Sequence, residues 1–157
     1  MIRPGRPDDA LGVARVHVRT WQAAYAHVFP ADRLAGISAE ARAEQWRLHP
    51  PIVAEDEGEI VGFVSVGASR DDDADGELYA IYVDPTRWGT GVGRDLILAG
   101  EARLRELGHH DVVLWVLEDN PRARRFYEAA GWRVDGARRP ITFLGVEVPE
   151  VRYRKRL

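Results

Sequence analysis

The clearest pattern along the chain is a step of three and four. Leu11, Ala14, Val18, Trp21 and Tyr25 recur at that spacing, which puts them on one face of a helix that Asp8 would cap. A second helix is predicted from Ser38, as N-cap, to about Leu48, with Trp46 inward and Pro50-Pro51 ending it. Elsewhere the apolar positions crowd into runs of strand length. Ile2 to Arg6 reads as a short first strand, Ile52 to Ala54 and Ile60 to Val66 as a hairpin across Asp56-Glu57-Gly58, and Leu78 to Val83 as a fourth strand. Gly91 to Leu107 reads as a helix stopped by Gly108 in the left-handed conformation. Val112 to Leu117 is a near-continuous apolar run, expected to be buried on both faces. Asn120-Pro121 opens a further helix that ends at Gly131, and Trp132 to Asp135 and Val148 to Lys155 are the last strands. Ala26 to Gly36 reads as loop, and Gly136 to Glu147 carries no assignable pattern. The order predicts an α/β chain of about seven strands and about four helices.

Composition narrows the chemistry. The 157 residues are enough for one domain with a sizeable core. The absence of cysteine excludes disulfides, thiolate metal sites and a cysteine nucleophile together. A net charge of −3 argues against a nucleic-acid partner. With no apolar leader and no run of membrane-spanning length, a cytoplasmic location without membrane partners is expected. The five histidines show no His-Glu-x-x-His spacing, so no metal is assigned, and no Gly-x-Ser-x-Gly elbow points to a hydrolase. The acidic stretch Asp71 to Asp75 reads as a solvated loop, or else as a lip that draws in a cationic amine.

The chemistry concentrates after the fourth strand. Asp84-Pro85 breaks that strand, and the glycine cluster Gly89, Gly91 and Gly93 opens directly into a helix. Glycines let a phosphate approach the backbone, while the first helical N–H groups lack partners and the helix dipole favours an anion. A Walker A loop would need Gly-Lys-Ser or Gly-Lys-Thr, but Gly93 is followed by Arg94-Asp95. A dinucleotide fingerprint would follow its strand at once and early in the chain, and this cluster does neither.

The stretch resembles the acetyl-CoA motif of the GNAT superfamily of N-acetyltransferases: Gln or Arg, two residues, Gly, one residue, Gly or Ala. Gly91 and Gly93 take the glycine positions, and Trp88 stands where Gln or Arg is usual. A second signature follows in the correct order, with Asn120, Ala123, Phe126-Tyr127-Glu128, Gly131 and Trp132 matching the family's Asn, Ala, Phe-Tyr-Glu, Gly and aromatic positions. The element order matches as well, so the resemblance covers essentially the whole chain. It implies a central mixed, mostly antiparallel sheet whose middle strands splay apart around acetyl-CoA as cosubstrate. The backbone of Ile81, Tyr82 and Val83 would then pair with the pantetheine arm. The pyrophosphate would sit on N–H groups from Gly89 to Arg94, that is Gly89, Thr90, Gly91, Val92, Gly93 and Arg94, with Trp88, Asn120, Ala123 and Tyr127 completing the cofactor site.

Transfer of acetyl from a thioester to an amine also needs a base for the ammonium and an acid for the thiolate. The signature position makes Tyr127 the candidate acid. Glu77 is the candidate base, since strand alternation puts it on the face of Tyr79, Ile81 and Val83, at the same distance before the glycine turn as the catalytic glutamate of the family's histone-acetylating branch. Trp21, Tyr25 and Tyr79 are candidates for the acceptor pocket. Arg122, Arg124 and Arg125 crowd a helix start, where cations are unfavourable, which hints at a ligand anion. The expected activity is direct acetyl transfer to a small-molecule or protein amine. The alternative is a non-catalytic acyl-CoA-binding or regulatory module. A homodimer is compatible with the sequence, which leaves the oligomeric state open.

Overall fold

The computed structural model describes residues 1–157. In chain order the elements are β1 (Ile2–Pro4), α1 (Ala10–Ala24), α2 (Ala31–Ala35), α3 (Ala39–Leu48), β2 (Ile52–Asp56), β3 (Glu59–Ala68), β4 (Gly76–Val83), α4 (Val92–Glu106), β5 (Asp111–Leu117), α5 (Pro121–Ala129), β6 (Arg133–Phe143) and β7 (Val146–Arg156). All seven strands join one sheet in the order β1-β2-β3-β4-β5-β7-β6. Every neighbouring pair is antiparallel except β4 and β5.

The sheet separates two layers of helix. On one face α4 and α5 bury Leu96, Ile97, Leu104 and Tyr127 against Val64, Leu78, Val112, Leu114 and Tyr153. On the other, α1 and α3 bury Val13, Val16, Ala43 and Trp46 against Val53 and Phe63. The α1 residues buried in this layer are Ala10, Val13, Ala14 and Val16, so the face that meets the sheet is rotated from the predicted stripe and shares only Ala14 of these with it, while Trp21 and Tyr25 belong to a separate aromatic cluster.

Several local expectations hold for their stated reasons. Ser38 accepts the Ala41 N–H at 3.2 Å and Asn120 accepts the Ala123 N–H at 3.2 Å, so both cap their helices through side-chain oxygens. Glu57 and Gly58 both take positive φ, the requirement of a two-residue hairpin turn that follows the twist of its strands. Gly108 ends α4 at φ +84°.

Four further readings need correction. Asp8 does not cap α1: it lies in a 3-10 turn, Pro7–Asp9, and α1 begins at Ala10. The loop after Tyr25 contains the short helix α2, whose Leu34 is buried beside Tyr25 and Phe29. The unassigned connection from Gly136 to Glu147 is the far end of the β6–β7 hairpin, closed by Leu144 and Gly145 at positive φ. A leucine in that conformation is uncommon, so the turn leaves no ordinary signal. Tyr79, finally, has no partner on β3: Ser65 pairs with Ala80 and Val66 with Leu78. This bulge shifts the alternation, so that Leu78, Ile81 and Val83 pack toward α4 while Ala80 and Tyr82 pack toward α1. Glu77 therefore does not share a face with Ile81 and Val83.

The bulge lies where β4 leaves β5. Their ladder holds only Gly76 to Val112 and Glu77 to Val113, whereas β5 stays paired with β7 as far as Leu117 and Glu150. A bulge bends its strand and sharpens the local twist, so β4 turns away and a wedge opens in the middle of the sheet.

Candidate active site

A cavity of about 1150 Å³ fills this wedge. One wall is β4 from Leu78 to Val83, which has no ladder partner on the β5 side. Apart from Val83 O, which accepts from the Trp88 indole and the Thr20 hydroxyl, its backbone groups on that side are free to pair with an extended ligand as a strand would.

At one end of the cavity stands the N-terminus of α4. Gly91 at φ +91° is its N-cap, and Gly89 takes φ +76°. The first hydrogen bond of α4 runs from Asp95 N–H to Gly91 O at 3.1 Å, leaving the N–H groups of Val92, Gly93 and Arg94 without helical partners. A Cβ on Gly93 would come within 3.3 Å of the Phe126 ring, so glycine also lets α4 and α5 approach. Trp88 staples this loop to β4, donating its indole N–H to Val83 O at 2.8 Å. The Arg122 guanidinium lies 3.7 Å above its ring. The residue that departs from the usual motif thus acquires a structural task.

Arg87, Arg94, Arg122 and Arg125 line this same end. Burial, and then the nearby Arg125 cation, lower the pKa of Arg122. Two guanidiniums held together without a carboxylate between them suit a polyanion. Arg124, by contrast, turns away to Tyr153 Oη at 3.0 Å and Glu118 O at 3.2 Å, and belongs to the scaffold.

The other end is aromatic. Tyr127 on α5 is 8% exposed, lines the cavity, and makes no hydrogen bond to the protein. A tyrosine serving only as core would be expected to satisfy its hydroxyl. Burial, followed by the proximity of Tyr82, pushes its phenol up, so it remains a proton donor at neutral pH. Tyr25 accepts a hydrogen bond from Asn120 Nδ2 at 3.1 Å, and Tyr82 accepts one from Trp21 Nε1 at 3.1 Å. The Asn120 side chain thus serves two masters: its oxygen caps α5 while its nitrogen orients Tyr25.

The sequence candidates sort as follows. Trp21, Tyr25, Tyr79, Ile81, Tyr82, Val83, Trp88, Gly89, Gly91, Gly93, Arg94, Asn120, Ala123 and Tyr127 all line the one cavity. Thr90 and Val92 do not. The Thr90 hydroxyl is bonded to Arg87 O and the Val92 side chain joins the core, which leaves only their backbone N–H groups for a ligand. Glu77 does not line it either. Its side chain is 1% exposed, with Oε1 accepting from Arg70 N–H at 3.0 Å and Oε2 ion-paired to the Arg70 guanidinium.

The acidic loop is not a free lip. Arg152, 9% exposed, reaches Asp71 at 3.1 Å, Asp73 at 2.7 Å and Asp135 at 2.7 Å, and Arg154 adds Asp73, Asp111 and Asp135. These arginines clamp the loop to β6 and β7 and neutralise it. Glu150, which sequence reading passed over as a strand glutamate, does line the cavity. Its signal was its register on the last strand, two residues from Val148 on the inward face, and that face is known only once β7 is placed in the sheet.

The profile of the Acetyltransferase (GNAT) family matches residues 13–132. YuaI, an uncharacterised N-acetyltransferase of Bacillus subtilis (strain 168), is 35% identical over 134 residues, which are 82% of this chain and 77% of that protein. The mycothiol acetyltransferase of Sanguibacter keddieii is 38% identical over 141 residues, 83% of this chain but 42% of that protein, so the chain spans less than half of that relative's length. Among solved structures, the PaiA N-acetyltransferase of Thermoplasma acidophilum in complex with coenzyme A has a TM-score of 0.75 at 18% identity, covering 100% of this chain and 98% of that one. YncA of Salmonella typhimurium, described as a putative acetyltransferase with its cofactor acetyl-CoA, has a TM-score of 0.70 at 23% identity, covering 100% and 93%. At such identities the two structures establish the fold alone. The family profile spans most of the chain, both signatures converge on one cavity, and the sheet opens where the fold requires, so the chain belongs to the GNAT family of N-acetyltransferases.

Proposed function

We propose that the protein transfers acetyl from acetyl-CoA directly to an amine bound beside it, with no covalent enzyme intermediate. The observation that carries this reading is one cavity, open along an unpaired strand edge, with helix N–H groups at one end and an unpartnered phenol at the other. Acetyl-CoA would supply an activated acyl group. The N–H groups from Gly89 to Arg94, with Arg122 and Arg125, would hold its phosphates, and the Ile81 to Val83 backbone would hold its extended arm. Tyr127 would give its proton to the departing sulfur.

Direct transfer is favoured because the lining offers no activated nucleophile. The chain has no cysteine, and the one aliphatic hydroxyl in the cavity, that of Thr20, already donates to Val83 O at 3.2 Å. Glu77 remains the proposed proton acceptor, but its burial behind Arg70 means that it would act through an intervening water and not by touching the amine.

The test is an amine panel, small molecules and N-terminal peptides alike, with thiol release followed by a thiol reagent. Because the protein has no thiol, every count reports released CoA. Amine-dependent release with an acetylated product supports the reading. Tight acetyl-CoA binding with no amine-dependent release from any member would favour the non-catalytic acyl-CoA-binding module.

A further inference from the structure

We propose that Glu150 is the docking group for the acceptor's ammonium, which makes the acceptors of this protein cationic amines carrying an apolar or aromatic body. The inference rests on the acetyl-transfer reading only for calling that amine an acceptor.

The argument starts from register. On β7, Val146 and Val148 pack with Tyr25, Phe29 and Leu34 on the α1 side of the sheet, while Val151 and Tyr153 belong to the α4 and α5 side. Glu150 continues the first set by strand alternation and stands opposite Leu117, the last paired residue of β5. It thereby comes to the cavity beside the aromatic end.

Charge in the lining is then sharply divided. The cations Arg87, Arg94, Arg122 and Arg125 all belong to the phosphate end, and the carboxylates are only Glu101 and Glu150. Glu101 is 2% exposed and committed to Lys155 Nζ at 2.8 Å and Trp132 Nε1 at 3.3 Å. Glu150 keeps one oxygen free: Oε1 accepts from Arg139 Nε at 2.9 Å, and Oε2 has no hydrogen-bond partner. Its charge is felt by both Tyr25 and Tyr82.

The hydrogen-bond inventory around it is incomplete in a directed way. The Tyr25 and Tyr82 oxygens accept from Asn120 and Trp21, but neither phenol proton has a protein acceptor, and Tyr127 is wholly unpartnered. A free carboxylate oxygen in a cavity lined also by Trp21, Tyr25 and Tyr82 suits an ammonium on an apolar body, which gains a charge-assisted hydrogen bond from the carboxylate and apolar contact from the rings. A neutral alcohol of the same shape gains only the second.

The experiment uses the CoA complex of the full chain and tryptophan fluorescence, for which Trp21 in the cavity wall serves as reporter. Titration with benzylamine and with the neutral isostere benzyl alcohol should show at least tenfold tighter binding of the amine. Glu150→Gln should remove that preference while leaving CoA affinity unchanged. Arg139→Gln should do the opposite, tightening benzylamine binding by releasing the carboxylate from its competing cation. A merely structural ion pair would give losses in both variants. Equal affinity for amine and alcohol in the native protein, or an undiminished preference in a folded Glu150→Gln variant, would overturn the proposal. Benzylamine bound through Glu150 but never acetylated, with no other amine acetylated either, would leave the docking group standing and sink acetyl transfer. Acetylation of amines with a KM unaltered by Glu150→Gln would do the reverse.

Discussion

Tyr127 owes its value to what it lacks. The ring packs in the core while the hydroxyl finds no partner, a combination that costs stability unless a ligand completes it. Tyr127→Phe should therefore retain CoA affinity and lose turnover by roughly 10 to 10⁴, the range of a general acid. Stopped thiol-release assays beside calorimetric CoA titration check this, and parallel losses in both would make the tyrosine a binding group instead. Glu77 is the opposite case, a carboxylate with both oxygens engaged. If it accepts a proton through water, Glu77→Gln should lower kcat most where the acceptor is protonated, with the deficit shrinking as pH approaches the amine's own pKa. A deficit constant across the pH series would point to the ion pair with Arg70 as scaffold.

Among the elements, α4 and β4 leave backbone groups unpaired at the end of the cavity proposed for the cofactor. Gly91 is the sensitive position, for its φ of +91° disfavours any side chain and the space beyond it is open to the cavity. Gly91→Glu should weaken CoA binding by at least tenfold through strain and a carboxylate set against the pyrophosphate. Isothermal titration reads this directly, and undiminished affinity in a folded variant would remove the cradle from the phosphate site. The bulge at Tyr79 matters as much as the glycines. It bends β4 away from β5, and it reverses which alternate residues face α4. Without it, Glu77 would look into the cleft with Ile81 and Val83, which is what simple alternation predicts.

On the scale of the molecule, the wedge in the sheet is kept open by cores on both faces, and one of them holds an ionisable group. His17 on α1 stacks on Tyr82 at 5.0 Å and meets Trp46 and Phe63 edge-on, with its Nδ1 buried and unpartnered. Burial, and then the Arg42 cation, hold its pKa down to about 4, against 6.5 in the unfolded chain. The unfolded state therefore binds the proton more readily between these values, so stability falls as pH drops from 6.5 toward 4 and recovers as it rises. The shift is worth about 3 kcal/mol on the linkage scale. Urea melts of wild type and His17→Phe from pH 7 to pH 4 should show a shallower decline in the variant, by that order. Identical slopes would mean that water already reaches the imidazole. CoA should also raise Tm in wild type, as any ligand selective for the folded state does.

The sequence by itself determined most of the elements, their order, the two signatures and which of their residues line one cavity, but not α2 or the β6–β7 hairpin. Those features are written locally: glycines at a strand-to-helix turn, caps beside apolar runs, and a phenol at fixed spacing within one helix. What only the tertiary structure decided depends on registers between distant strands. The bulge at Tyr79 is defined by its pairing with β3, and it took Glu77 from the cleft to Arg70. The acidic loop looked free until Arg152 and Arg154, some eighty positions later, were brought beside it. Glu150 had no local signal because a glutamate on a strand reads as solvated until its neighbours across the sheet are known. Side-chain chemistry is a property of sequence, but burial and partners are set by long-range pairing, and at this site they decide which carboxylate meets the cavity.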